Sequence, residues 1–500
     1  QYFLLILSLT VSVLTTGCAE QSNSPSAEPV VLSLPFTSEQ QIKSLHGKRV
    51  IFDQPLTVID SYNLHRFGEL TLASERQYVP TNLYPPGSAE AQELQQRNLL
   101  NRIQLLDLNE QEYPAEIIYP GEGLRADNTL RVGDQVIAVT GVLQVEEEGI
   151  TLQPLSQPEF IRANPRQPTP ELKDGDLRIA SLNVLNLFNG DGQGGEFPTP
   201  RGADNAEEYQ RQLDKLVTSV TAMDADIIGL MELENDGFDK FSAIAQLTQA
   251  LNQVAGENRY AFVDAGGPLG DDVIAVGLLY RPQVISAISA PMINSDTIFD
   301  RPPLAQVFQH KGSGEVFTVV VNHFKSKGSC HKAEGQDKDQ GDGQACFNAK
   351  RETQANRLIE WLDTEPVLKA SGNQLVIGDL NAYAKEDPVR AFISKGYKDL
   401  VGTFSGKKAY SYVYRGQSGY IDHALANPQM FARVVDASVW HINADEPRVL
   451  DYNVENKSAS QQNDFYAPNA YRMSDHDPLD INETTDTDGD GIANFADTDD

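Results

Sequence analysis

The residues of this 500-residue chain that are best suited to chemistry stand at the ends of apolar runs. Asn183 follows LRIASL, Glu232 lies in IIGLMELEN, and His323 ends VFTVVVNH. Asp379 and Asn381 follow LVIG, Asp422 follows GYI, and Asp475 with His476 lie in MSDHDPL. A sheet fixes the backbone of a carboxylate or amide at a strand end, so several such groups can share one hard divalent cation. The two histidines add groups able to pass a proton near neutral pH. Singly each residue is a weak signal, because an Asp after a strand commonly caps a helix or starts a turn. Together, in this order, they are specific.

The elements that must hold these groups begin near residue 175. DLRIASLNVLNLF predicts a buried strand, and AEEYQRQLDKLVTSVTAM a helix with Leu213, Leu216, Val217 and Val220 on one stripe. DADIIGLMEL predicts a second strand, followed by a helix over about 239–254. Further strands are expected at VIAVGLLYRP, EVFTVVVNHF, QLVIGDL and GYIDHAL. About 300 residues give room for one large core of two packed sheets.

Residues 38–161 read differently. KRVIFDQPLTVIDSY, GELTLAS and DQVIAVTGVLQVEEEGITLQP alternate β-branched residues with Gly and Asp breaks, predicting a small β-barrel. Between them AQELQQRNLLNRIQLLD is part helix and part strand. Residues 19–37 and the Pro-rich 162–174 read as linkers. The expected organisation is a leader at 1–18, the β unit at 38–161, an α/β unit at 175–482 and an acidic tail at 483–500.

The ordered segments SLNVLNLF, DIIGLMELEN, VGLLYRP, VNHFKSK, VIGDLNAY, GYIDHAL and MSDHDPL resemble the endonuclease/exonuclease/phosphatase superfamily, the DNase I-like fold. Within it, the cysteine insertion after NHFKSKGS and the run ACFNAKRETQAN are similar to secreted bacterial extracellular nucleases with a leading OB-fold. The resemblance implies an α/β (α+β) four-layered sandwich of two packed sheets flanked by helices, preceded by a small all-β OB-fold barrel. It implies that Glu232 is the main metal-binding carboxylate, with Asn183 beside it and Asp475 completing the metal environment. Asp379 would orient or deprotonate the attacking water, and Asn381 would bond a phosphate oxygen. His323 would contact the scissile phosphate, and His476, oriented by Asp422, would stabilise developing charge or pass a proton. Some relatives carry a carboxylate two residues after the first Asn, where this chain has Leu185.

The residues themselves agree with that chemistry. Phosphodiester hydrolysis needs in-line attack by water, charge compensation on the phosphate oxygens and stabilisation of the leaving alkoxide; Mg²⁺ or Mn²⁺ with His and Asn supplies these. Asp271 or Asp272 is a loose candidate partner for His323, and Arg281 either closes its strand or reaches phosphate. Lys325, Lys327, Lys332, Lys350 and Arg351 form the densest basic stretch, next to His323, and point to a grip on a DNA backbone. Lys325, Lys327 and Arg351 are the candidate substrate-binding residues. Phe324, Phe347 and Tyr383 are candidates for base stacking, with core packing the commoner fate. In the β unit, Tyr62, Tyr78, Arg66, Arg76 and Arg102 could serve a single-strand grip, though a purely structural module is the plainer reading.

Asp and Glu total 71 against 40 Lys and Arg, a formal charge of −31, which disfavours a polyanion binder acting through its overall field. The mean hydropathy of −0.38 excludes a polytopic membrane protein. Residues 3–14 are an apolar run of signal-peptide length, too short to span a bilayer, and no Met or basic leader precedes it, so a few residues are expected ahead of Gln1. Thr15, Thr16 and Gly17 then lead into Cys18, and two readings stand side by side there: lipid attachment, or plain signal-peptidase cleavage nearby. In an exported chain, Cys330 and Cys346 point to a disulfide rather than a metal site. At the other end Asp486, Asp488, Asp490, Asn494 and Asp497 follow the spacing of a Ca²⁺ loop, with Gly491 for its turn, and resemble a thrombospondin type 3 repeat. The expectation is an exported, metal-dependent phosphodiesterase that degrades extracellular DNA, with RNA left open. The alternatives are a same-fold phosphatase, a sphingomyelinase-type phosphodiesterase, or a non-catalytic extracellular nucleic-acid- or matrix-binding protein.

Overall fold

Runs such as VFTVVVNH and LVIGD carry apolar side chains on successive residues, so they must be covered on both faces, and the fold covers them with a second sheet and a helical layer. The computed structural model describes residues 28–484 apart from 108, 110 and 148. The leader with Cys18 and the acidic tail with Asp486, Asp488, Asp490, Asn494 and Asp497 lie outside the described residues.

Two sheets form the α/β unit. The first runs in the order Ala261–Phe262, Ile274–Tyr280, Ile227–Glu234, Leu177–Leu187, Leu479–Glu483 and Val434–Val439. The second runs Ile285–Ala287, Leu304–His310, Val316–His323, Asn373–Asp379, Asp422–Ala426 and Lys398–Asp399, with Met292–Ile293 also on Leu304–His310. Their inner faces meet through Ile179, Met231 and Leu278 on one side and Val319, Val321 and Ile377 on the other. Gly229 marks a close approach, since a Cβ there would lie 2.5 Å from Ile377 Cδ1. The helices Ala206–Met223 and Ala243–Ala255 cover the outer face of the first sheet through Leu216, Val220 and Leu247. Asn348–Thr364 and Asp387–Ser394 cover the second through Leu358, Leu362 and Phe392. The result is a helix, sheet, sheet, helix stack. The strands and helices expected from the sequence are found, the helix expected at 239–254 forming as Ala243–Ala255.

The β unit is a sheet of nine strands among the described residues, with Val30–Leu32 and Glu159–Ile161 at its two edges. AQELQQRNLLNRIQLLD is part helix, Ala89–Leu100 capped by Ser88, and part strand, Ile103–Leu105.

This unit is built into its neighbour. Gln77–Tyr78 pairs in parallel with Gln417–Gly419, which pairs with Tyr412–Tyr414, so one small sheet draws strands from both halves of the chain. Beside it Asp445 and Glu446, both buried, receive Arg76 and Arg131 from the β unit and Arg166 from the Pro-rich stretch. Asn164 adds a bond to Asp445 Oδ2 of 2.7 Å, so the 162–174 stretch lies pinned along the junction. Burial pushes the Asp445 carboxyl up, but Arg76, Arg131 and His441 outweigh it and hold the group below the usual carboxylate range. Among the described residues no helix is long and apolar enough to cross a membrane.

Replacing Asp445 by Asn leaves the Arg76 guanidinium without its counter-charge and Arg131 with Glu446 alone. The expected cost is about 3–5 kcal/mol, read as a lower midpoint in chemical denaturation with both halves still unfolding in one transition. A second transition appearing in wild type would show that the junction does not couple them.

Candidate active site

The second sheet sets three of the expected residues side by side. His323 pairs in register with Asp379, and Asp379 with Asp422, across three adjacent strands. His323 Nε2 lies 3.4 Å from Asp379 Oδ2. Past the strand end, Asn381 takes a left-handed conformation at φ 49°, and its backbone N–H donates to Asp379 Oδ1 at 2.7 Å. Its side-chain amide donates to Asp379 Oδ2 and to the Phe324 carbonyl.

The first sheet brings the other half. Asn183 and Glu232 lie on neighbouring strands, both where the pairing register shifts, and Glu232 stands at φ 66°. A bulge of this kind re-aims a side chain at a sheet rim. Glu232 Oε1 accepts from the Asn183 amide at 3.1 Å and Oε2 from the Asn186 backbone N–H at 3.1 Å. The Asn183 oxygen accepts from the Leu185 N–H, so Asn183 is occupied in orienting Glu232. The loop before Leu479–Glu483 carries Asp475 and His476, and His476 Nδ1 lies 2.8 Å from Asp422 Oδ2. Ser411 Oγ donates to the same oxygen at 2.6 Å. Tyr412 packs over the His476 ring at 4.7 Å between centroids.

Electrostatics separates the two histidines. Burial lowers both, but Asp422, then Asp475 and Asp379, outweigh it at His476, which is held well above the usual range and is an imidazolium at neutral pH. At His323 burial is reinforced by Arg301 and by His476, so the ring is pushed well below its usual value and is neutral. Burial raises Asp379 to about 7, with His476 opposing and Asp422 adding to the rise. Glu232 is raised by burial and then by Asp475.

That last pairing is the test of a metal. Asp379, Asp422 and His476 offer ligand atoms within 4.8 Å of one another, yet His476 Nδ1 and Asp422 Oδ2 are bonded together and a protonated His cannot ligate. Glu232 and Asp475 are better suited: two hard oxygen donors that repel each other, with lone pairs left on a Glu232 already held in place. A hard divalent cation removes that repulsion, so the donor set fits one.

The remaining candidates divide. A cleft of about 790 Å³ beside Glu232 and His323 is lined by Lys325, Lys332, Arg201 and Arg301. Lys327 is tied to Glu386 and the Gln344 carbonyl, and Lys350 to Asp300. Arg351 corrects the expectation of a substrate contact: it is fully buried and donates to the carbonyls of Lys325, Gln344 and Cys346, fixing the loop that presents Lys325. Cys330 and Cys346 form a disulfide in that loop, with Cα atoms 5.5 Å apart. Phe324 and Tyr383 are core residues, while Phe347 is largely buried under Lys325, 4.6 Å away, and still borders the cleft. Asp272 bonds Arg301 rather than His323, and Arg281 closes its strand on Asp224 and Asp226. In the β unit, Arg76 is a junction residue and Arg66 pairs with Glu112.

Sequence reasoning missed Arg301, Ser411 and Tyr412. Arg301 donates to the carbonyls of His323 and Phe324 while lining the cleft, so it sets the strand end and the local field at once. FDRPPL carries no signal of this, because the strand it supports is distant in sequence.

Comparison with known proteins gives the family. No curated protein matches the chain. Solved structures similar to it include an endonuclease/exonuclease/phosphatase from Bacteroides vulgatus, at 17% identity and TM-score 0.38, covering 62% of this chain and 100% of that one. The human Nocturnin catalytic domain is similar at 14% identity and TM-score 0.37, covering 61% of this chain and 93% of that one. A mannosyl-6-phosphatase from Bacteroides thetaiotaomicron is similar at 13% identity and TM-score 0.37, covering 62% and 100%. The sequence itself matches the family over residues 180–476, from the strand of Asn183 through His476, and on that match the chain belongs to the Endonuclease/Exonuclease/phosphatase family.

Proposed function

We propose that this protein is an exported, metal-dependent nuclease that hydrolyses the phosphodiester bonds of extracellular DNA, with RNA a further substrate. Family membership supports phosphoester hydrolysis. The observation that carries the reading further is the convergence of two unlike halves: an oriented, mutually repelling carboxylate pair, Glu232 and Asp475, from one sheet and its loop, facing the Asp379 and Asp422–His476 system of the other. A cleft that runs on past this point with free cationic side chains suits a phosphate chain better than a terminal phosphate.

Within this reading Glu232 and Asp475 hold Mg²⁺ or Mn²⁺, which when bound lowers the charge on the scissile phosphate. Asp379, fixed by Asn381, aligns the attacking water and accepts its proton. The His476 imidazolium, held through Nδ1 by Asp422, leaves Nε2 to donate to the departing oxygen. Neutral His323 hydrogen-bonds a non-bridging oxygen, and Lys325 with Lys332 steadies the chain beyond it. Asn381 spends its donors on Asp379 and the Phe324 carbonyl rather than on the phosphate oxygen expected of it. Export, through the apolar leader with or without lipid on Cys18, is supported by the sequence, as is Ca²⁺ at Asp486, Asp488, Asp490, Asn494 and Asp497. The resemblance of the 38–161 pattern supports an OB-type module.

Purified protein with linear or circular DNA is expected to degrade it in Mg²⁺ or Mn²⁺ and to stop in EDTA. Glu232→Gln and His476→Ala are expected to lower kcat by about 100-fold or more. Release of phosphate from monoesters with intact DNA would move the reading to a phosphatase, and full activity in either variant would overturn the site.

The pH profile follows from the signs. Asp379 must be ionised, so kcat/KM rises with pH on the acid side, with an apparent pKa no higher than about 7 because a bound cation lowers it. His476 must be protonated, so the rate falls on the alkaline side. Steady-state rates across pH are expected to show this bell, and Asp422→Asn is expected to draw the alkaline limb downward toward neutrality.

A further inference from the structure

A second and larger cleft, of about 910 Å³, lies between the β unit and the α/β unit. Tyr62 and Arg102 line one wall; Tyr414, Arg415, Arg448 and Arg472 line the other. Asp475 and Tyr412, the residue packed on His476, also line it, so the groove reaches the edge of the active site. Two hydrogen bonds tie the walls together: Arg102 Nη1 to the Arg415 carbonyl at 3.1 Å and Arg448 Nη1 to Tyr62 Oη at 3.3 Å.

Two observations ask for a ligand. Tyr62 and Tyr414 are 66% and 54% exposed, large aromatic faces left in water, with Arg448 5.7 Å over the first and Arg415 5.3 Å over the second. Among the described residues, none of Arg102, Arg415, Arg448 and Arg472 has an acidic partner within 4.0 Å, whereas the junction arginines do. The groove does contain acids: Asp60 accepts from the Tyr62 N–H and attracts Arg102 from beyond 4.0 Å, Glu69 accepts from Asn63 and Gln104, and Asp451 from Asn453 and Lys457. Arg472 Nε is buried with no partner at all. In a chain of net charge −31, this groove gathers four guanidiniums with no acid within 4.0 Å beside two exposed rings.

Arginine forks match phosphate oxygens, and tyrosine faces stack on bases. A small anion has no use for the rings, and a duplex keeps its base faces covered. We infer that this groove binds one unpaired nucleic-acid strand as it runs out from the active site, with phosphates on the arginines and bases on Tyr62 and Tyr414. This rests on the nuclease reading and extends it: the β unit supplies half of a strand-binding site.

The test is binding without turnover. Anisotropy of labelled oligothymidylate and of a blunt duplex of equal length, in EDTA, gives Kd for each. Tyr62→Ala with Tyr414→Ala is expected to raise the single-strand Kd at least about tenfold and the duplex Kd less than about twofold. The corresponding Phe pair, which keeps the rings, is expected to stay within roughly threefold of wild type. Arg415→Ala with Arg448→Ala is expected to reduce the slope of log Kd against log salt by about 1.4. An unchanged single-strand Kd in the Ala pair, an equal loss on duplex, or an equal loss in the Phe pair would overturn the inference. If wild type binds single strands and the Ala pair loses them as expected, yet wild type cleaves nothing with metal, the nuclease reading fails and the groove stands.

Discussion

The hydrogen bond between His476 Nδ1 and Asp422 Oδ2 joins the two sheets at the point where their strand ends meet. Asp422 belongs to the second sheet, in register with Asp379 and through it with His323. His476 precedes the strand Leu479–Glu483 of the first. Without the imidazolium, the buried carboxylates of Asp379 and Asp422 would face each other and Asp475 with no positive charge among them. With it, one positive charge on His476, anchored on Asp422, offsets part of that repulsion, and low local dielectric makes the attraction strong. The whole arrangement of the site depends on the sheets being packed closely enough to keep this bond at 2.8 Å, which is why Gly229 sits where they approach.

The backbone around the site is bent to suit. Leu185, Asn186, Glu232 and Asn381 all adopt positive φ, a conformation that costs a non-glycine residue about 1–3 kcal/mol. Each returns something local: the Leu185 and Asn186 N–H groups fix Asn183 and Glu232, and the Asn381 N–H fixes Asp379. The large core between the sheets holds these segments in place, so the strained residues orient the carboxylates without the site having to collapse around a ligand. Two sheets and two helical layers are what make four such residues tolerable at one rim.

How far the sequence could be read follows from what kind of interaction decides each feature. Strands such as Val316–His323 and helices such as Ala206–Met223 were legible because burial of apolar side chains dictates their period. The site residues were legible because strand ends restrict where an acid or His can go, and the structure brings Asn183, Glu232, His323, Asp379, Asn381, Asp422, Asp475 and His476 to one place. Charge partners were not legible. Arg351 and Lys325 look alike in sequence, yet one is buried on three carbonyls and the other borders the cleft. The stretch 162–174 has a linker's composition, and only the carboxylates of Asp445 and Glu446, far along the chain, turn it into a seam.

The same sorting resolves the charge. A net −31 argues against gripping a polyanion through the overall field, but at physiological salt that field is screened beyond about 8 Å. What a phosphate meets is decided by which cations the acids have already neutralised. Asp445, Glu446, Glu386, Asp300 and Asp226 neutralise Arg76, Arg166, Lys327, Lys350 and Arg281, cations that hold the fold together. The cations with no acid within 4.0 Å include Lys325 and Lys332 in the cleft that Glu232 lines and Arg102, Arg415, Arg448 and Arg472 in the cleft that Asp475 lines. Under the proposed function, a phosphate chain would meet its unpaired cations in these two clefts rather than in the protein's overall field. On that reading, the excess of acid does not oppose binding, because what counts is which cations the acids leave without a partner.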